Sequence, residues 1–171
     1  MAARFVLGFD PGKEGGLAAL TDRGAVALLL PLPYAPDDDQ PLARTMRAAV
    51  RALGGEVVAA GVELVNSFGM GRQSAFVFGQ GVGALVALCE LEGWPVIRVR
   101  PQSWQATIGA TRKGGAADPL GPVSRLFPTA NLLATPRSRK PHYGLVDALG
   151  IAEHTRRLAA MTCAAEDLPF G

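Results

Sequence analysis

Apolar and polar positions alternate in a way that places short strands first and helices later. Residues 3–9 form an apolar run that ends on Asp10, the pattern of a buried strand. Pro11-Gly12-Lys13-Glu14-Gly15 reads as a turn, and residues 16–20 as a second strand. Asp22-Arg23-Gly24 makes a hairpin turn into a third strand over residues 25–30. A loop over 31–41 carries Asp37-Asp38-Asp39, acids that suit a following helix N-terminus, and a helix is expected over 41–53 until Gly54-Gly55 stops it. Residues 56–62 read as a fourth strand that ends on Glu63. A long helix over 73–92 follows. It is apolar nearly all round and carries Gly79, Gly81 and Gly83, so it is expected to be buried on several sides or to pack closely on a partner. Gly93-Trp94-Pro95 ends it, and residues 96–99 form a fifth strand. Short helices over 101–108 and 123–127 flank a loop rich in glycine and proline. A last helix spans 143–160, and residues 161–171 are expected to be a flexible tail.

Three antiparallel strands followed by alternating helices and strands predict an α/β protein. The sheet is mixed and five-stranded, with helices on both faces, in one domain over 1–160. This order is the ribonuclease H-like arrangement, which sugar-kinase and actin-like ATPase folds also share at their start. The chain has 171 residues and is 49% hydrophobic, enough for one core without staples, which excludes a disordered chain. Cys89 and Cys163 have no metal spacing and read as free thiols. Asp10 comes too early for a signal peptide, and the longest unbroken apolar run, 25–32, is too short to span a bilayer. The expectation is a soluble, cytoplasmic protein that does not engage a membrane.

Net charge is only +2, but its distribution is uneven. Residues 96–141 carry Arg98, Arg100, Arg112, Lys113, Arg125, Arg137, Arg139 and Lys140 against the single acid Asp118, whereas the flanking segments are net acidic. A basic stripe of this kind is the footprint of a phosphate-backbone binder.

Three acids carry the candidate chemistry. Asp10 and Glu63 end strands that are otherwise free of acids, and ligand chemistry in open α/β sheets sits beyond the carboxyl ends of the parallel strands. Two neighbouring carboxylates there repel one another unless a cation lies between them, and oxygen ligands suit Mg²⁺ or Mn²⁺. Asp147 interrupts the apolar face of the last helix among small residues that let the helix approach the sheet. His142 stands just before that helix and can ligate a metal or handle a proton, whereas His154 reads as a surface residue. Three acids and a histidine suffice for two divalent ions acting on a phosphodiester. The competing signal is Gly12, Gly15 and Gly16 after Asp10, a glycine loop able to cradle ATP phosphates, but 171 residues cannot build a two-lobed kinase cleft.

The ordered set Gly8-Phe9-Asp10-Pro11-Gly12 with Gly15-Gly16, Val62-Glu63, Phe76 to Gly83, Val99-Arg100-Pro101 with Trp104, Leu126-Phe127-Pro128 and Asp147 to Ala152 resembles the RuvC family of Holliday-junction resolvases. The likeness is greatest to the phage RuvC-like branch and covers about residues 4–155. The resemblance implies a ribonuclease H-like fold and a homodimer acting on branched DNA, with metal-dependent paired symmetric nicking of four-way junctions. It implies Asp10, Glu63 and Asp147 as metal ligands. Family members commonly carry another acid three or four residues before the last one. Here Tyr143 and Gly144 stand there, and His142 is the nearest replacement. By the same likeness the loop after Glu63 faces the junction centre, with Phe68 able to stack on a base beside Arg72 and Gln73. Arg112, Lys113, Arg137, Arg139 and Lys140 would contact DNA, and the helix over 73–92 would form the dimer face. Two alternatives stay open at this point: a non-catalytic branched-DNA-binding protein of the same fold, and a ribonuclease H-like nuclease acting on hybrids or other branched DNA.

Overall fold

The computed structural model describes residues 2–12, 14–32, 42–64, 71–110 and 117–166. Its five strands are β1 (Arg4–Asp10), β2 (Gly16–Thr21), β3 (Val26–Pro31), β4 (Glu56–Glu63) and β5 (Val96–Val99). They form one sheet in the order β3-β2-β1-β4-β5. β1 and β2 pair antiparallel, as do β2 and β3, while β1, β4 and β5 run parallel. The expected mixed sheet is therefore present, with its parallel half formed by the two acid-ending strands and β5.

Alternation along the strands sorts side chains to two cores. Leu7, Phe9, Leu17, Ala19, Ala60 and Val62 face one layer, which α1 (Leu42–Arg51) covers with Met46 and Val50 and α2 (Arg72–Leu91) covers with Leu85, Leu88 and Cys89. Ala18, Leu20 and Val99 face the other layer, built from α3 (Pro101–Thr107), α4 (Leu120–Leu126) and α5 (Tyr143–Glu166). On that side the sheet presents glycine. A methyl at Gly8 would collide with the α5 backbone at Ala148 and Ala152, and one at Gly16 with Gly144. Gly144 in turn lies against the backbone of Glu14 and Gly15. The small residues around Asp147 do let α5 sit directly on the sheet, as their pattern suggests. Gly8→Ala is expected to cost roughly 2–3 kcal/mol, because backbone rather than a flexible side chain must yield. In thermal melts this is a loss of about 5–10 °C, and an unchanged melt would contradict the contact.

Two expectations need revision. The helix over 72–91 is not buried on several sides: Gly81 lies level with Pro11, just past the end of β1, so the first half of α2 overhangs the sheet edge. Phe76 is 66% exposed there, and Leu91 at the other end is 85% exposed. α2 is also long and apolar enough to cross a bilayer by length and composition, which the run over 25–32 did not suggest. Its Leu85, Leu88 and Cys89 pack instead on the sheet. The last helix continues past Ala160 to Glu166, since residues 161–166 contain no glycine or proline to stop it.

Candidate functional site

Phe9 and Val62 are the last pair between β1 and β4, so Asp10 and Glu63, the final residues of the two strands, follow side by side at the carboxyl edge of the sheet. Parallel strands lie about 4.8 Å apart, which sets the scale of their backbone separation. By alternation Asp10 shares the side of Gly8, and Glu63 the side of Gly61; both glycines lie under α5. The two carboxylates therefore stand on the face that α5 covers, where Asp147 arrives one turn into the helix. Three elements far apart in the chain thus bring three acids to one edge.

Their electrostatics follow from that crowding. Burial pushes Asp10 up to about 6, although the Gly12 N–H donates to its Oδ1 at 3.1 Å and pulls the other way. Glu63 is 6% exposed and rises to about 7, again through burial, opposed by a hydrogen bond from Trp104 and reinforced by the charge of Asp10. Asp147 rises to about 7 through burial, then through repulsion from Asp10 and from Glu63. Each acid is held where its charged form is costly, and among the described residues no cation offsets it. Asp147 Oδ1 is moreover buried without a hydrogen-bond partner among the described residues.

His142 sits at the mouth of α5. Its carbonyl accepts from the N–H groups of Leu145 and Val146, its own N–H donates to the Leu132 carbonyl, and its Nδ1 is buried without a partner among the described residues. Among the described residues, no group of three or more acidic, histidine or cysteine side chains is gathered closely enough to hold a metal ion as it stands. The donor set still fits hard divalent ions. It offers three carboxylates that repel one another and two unpartnered buried atoms, and in such sites water and phosphate complete the shell.

The basic candidates fall partly into view. Arg72 and Gln73 are exposed in the first turn of α2, on its overhanging half. Arg137, Arg139 and Lys140 are exposed on the segment leading into α5, which is shaped by the Ser138 N–H to Thr135 carbonyl bond. None of these four cations makes an ion pair among the described residues. Phe68, Arg112 and Lys113 lie outside the described residues. His154 is not the surface residue expected: it is half-buried, with Nδ1 2.6 Å from Thr107 Oγ1.

Trp104 was legible in the sequence only as part of a motif. In the structure its Nε1 donates to Glu63 Oε1 at 2.6 Å, both groups buried. The available signal was a lone tryptophan in a short, otherwise mostly polar helix, since a buried indole N–H usually finds an acceptor.

No family model and no curated protein sequence matches the chain. Solved structures do. One, Thermus thermophilus RuvC in complex with Holliday junction substrate, matches with a TM-score of 0.65 over 92% of this chain and 96% of that one, at 21% identity. Another structure of Thermus thermophilus RuvC matches with a TM-score of 0.62 at 24% identity, with the same coverage. The chain has a RuvC-like, ribonuclease H-like fold.

Proposed function

We propose that the protein is a structure-selective endonuclease that resolves four-way DNA junctions, hydrolysing phosphodiesters with divalent metal and placing paired symmetric nicks. The observation that carries this reading is the convergence of Asp10, Glu63 and Asp147 on one buried sheet edge, on a fold shared with a protein solved on a Holliday junction. Asp10, Glu63 and Asp147 would hold Mg²⁺ or Mn²⁺, two ions in this reading, with His142 as the candidate fourth donor. When bound, such ions lower the pKa of the attacking water and neutralise charge on the phosphate.

The protein's own part is placement and charge. Burial makes three adjacent carboxylates costly alone, and that cost becomes affinity for a cation. Arg137, Arg139 and Lys140 flank the mouth of α5 and take the DNA backbone beside the acids; Arg72 and Gln73 do so from the α2 overhang. Arg112, Lys113 and the stacking residue Phe68, which lie outside the described residues, belong to the same reading by sequence alone. A protein acting in this way works where the DNA is, in the cytoplasm of a bacterial cell, whether or not a phage encodes it.

A homodimer belongs to the proposal. Phe76, Gly79, Gly83, Ala87 and Leu91 form an exposed stripe along α2. A glycine inside a helix costs about 1 kcal/mol relative to alanine, and Gly79 and Gly83 face open space in the protomer. A close crossing of two α2 helices would use them, and would set two active edges about a two-fold axis to match a junction. Gly83→Arg is expected to keep a cooperative melt, since the position faces open space in the protomer, and to convert a dimer to a monomer in sedimentation. A wild-type chain already monomeric at micromolar concentration would contradict this part.

One feature favours a second reading, binding without cleavage. A side chain at Gly144 would strike the Glu14 and Gly15 backbone, so no acid fits there, and Tyr143 points outward, 54% exposed. A panel of labelled four-way junction, linear duplex and RNA–DNA hybrid, each with Mg²⁺, Mn²⁺ or EDTA, separates the readings. The proposal expects cutting of the junction alone and only with metal. Tight binding without cutting favours the second reading, and cutting of the hybrid a different nuclease.

A further inference from the structure

We infer that Trp104 is a positioning residue. Its indole N–H fixes one oxygen of Glu63, and α3, locked to α5, sets where that carboxylate stands relative to Asp147. The inference rests on the reading of the three acids as a metal-holding edge.

Glu63 and Asp147 come from a strand and from a helix on one of its faces, and Trp104 is the side chain that ties the first to the element carrying the second. Trp104 is 1% exposed and donates to Glu63 Oε1 at 2.6 Å. The donor is neutral and the acceptor ionisable, which makes a short, strong bond. Indole is a donor only and brings no charge. It therefore orients Glu63 without cancelling the negative charge a cation needs, which an arginine or lysine in the same place would do. Oε1 is engaged, and no second protein group bonds the carboxylate among the described residues.

Three contacts hold α3 in turn. A methyl at Gly150 would lie 2.6 Å from the Trp104 ring, so the ring rests on α5 three residues after Asp147. One turn further along, Thr107 Oγ1 meets His154 Nδ1 at 2.6 Å, and the Thr107 carbonyl accepts from Arg157 at 3.1 Å. Arg157 is itself fixed by Glu153 at 2.7 Å. The middle and the C-terminal end of this short helix are thus tied to α5. Outer groups that orient metal-binding side chains commonly alter metal affinity by about 10–100-fold when removed.

The test uses the full chain without DNA and Mn²⁺ as the probe. Trp104→Phe keeps an aromatic ring and removes the N–H. It is expected to melt cooperatively yet bind Mn²⁺ about 10–100-fold more weakly, with cleavage that recovers partly at high Mn²⁺. The chain has two tryptophans, so Trp94→Phe leaves Trp104 as the sole emitter. In that background Glu63→Gln is expected to shift Trp104 emission in the absence of metal, a signal that remains readable even if Trp104→Phe does not fold. Wild-type Mn²⁺ affinity in Trp104→Phe, or an emission unmoved by Glu63→Gln, overturns the inference while leaving the metal-holding edge intact. A wild-type chain that binds no Mn²⁺ overturns the metal-holding edge itself.

Discussion

Asp10→Asn is expected to reduce junction cleavage by about 10²–10³-fold or more, the scale of loss when one electrostatic element of a transition state is removed. Junction binding is expected to stay within about twofold, because the side chain carries no positive charge and phosphate affinity lies with the cations. The same substitution is expected to stabilise the metal-free protein. Asp10 sits where burial raises it from an ordinary 3.8 to about 6, and its charge pushes up both Glu63 and Asp147. Asparagine keeps an acceptor for the Gly12 N–H and removes the charge. Loss of activity with gain of stability separates a functional acid from a structural one, since loss of a structural acid would lower both. Paired nicking assays and thermal melts in EDTA check the two halves.

In EDTA the protein is expected to become more stable as pH falls from 8 towards 5. The three acids have folded-state values of about 6 to 7 against ordinary values of 3.8 to 4.5. Between those limits the folded state binds more protons than the unfolded one, so stability falls as pH rises through the window. For Asp10 alone the full shift from 3.8 to about 6 corresponds to roughly 3 kcal/mol at 1.36 kcal/mol per pH unit; about half of it is gained between pH 8 and pH 5, a melting change of roughly 3–5 °C. Burial lowers His154, which works in the opposite sense below its ordinary value, but it is a single group with one exposed side. Mg²⁺ or Mn²⁺ is expected to stabilise the protein strongly at pH 8 and little at pH 5, because protons compete for the same oxygens. Melts across this range with and without metal decide it, and a stability that falls on acidification in EDTA would contradict the electrostatic account.

Much of this was legible from pattern alone. Each strand is a short apolar run closed by a turn residue, and the two acids that end runs are the two that meet. Asp147 was recognisable as a polar interruption among small residues, and those residues proved to be the ones that bring α5 onto the glycines of the sheet. What pattern could not reveal depends on contacts between distant segments. Trp104 and Glu63 are joined by a hydrogen bond across 41 residues, and Thr107 and His154 by a contact across 47. Periodicity along one segment carries no information about either. The exposure of the first half of α2 escaped for a related reason: its apolar composition indicates burial, but only the register of helix against sheet shows that it overhangs the edge.

The most direct test of the central claim is to map the nicks made in each strand of an end-labelled four-way junction in Mg²⁺ and in Mn²⁺, with wild-type protein and Asp10→Asn side by side. The account predicts two nicks placed symmetrically across the junction in opposing strands, dependent on metal and absent with Asp10→Asn. Cleavage that persists in EDTA or survives Asp10→Asn would contradict the assignment of this carboxylate edge as the catalytic centre.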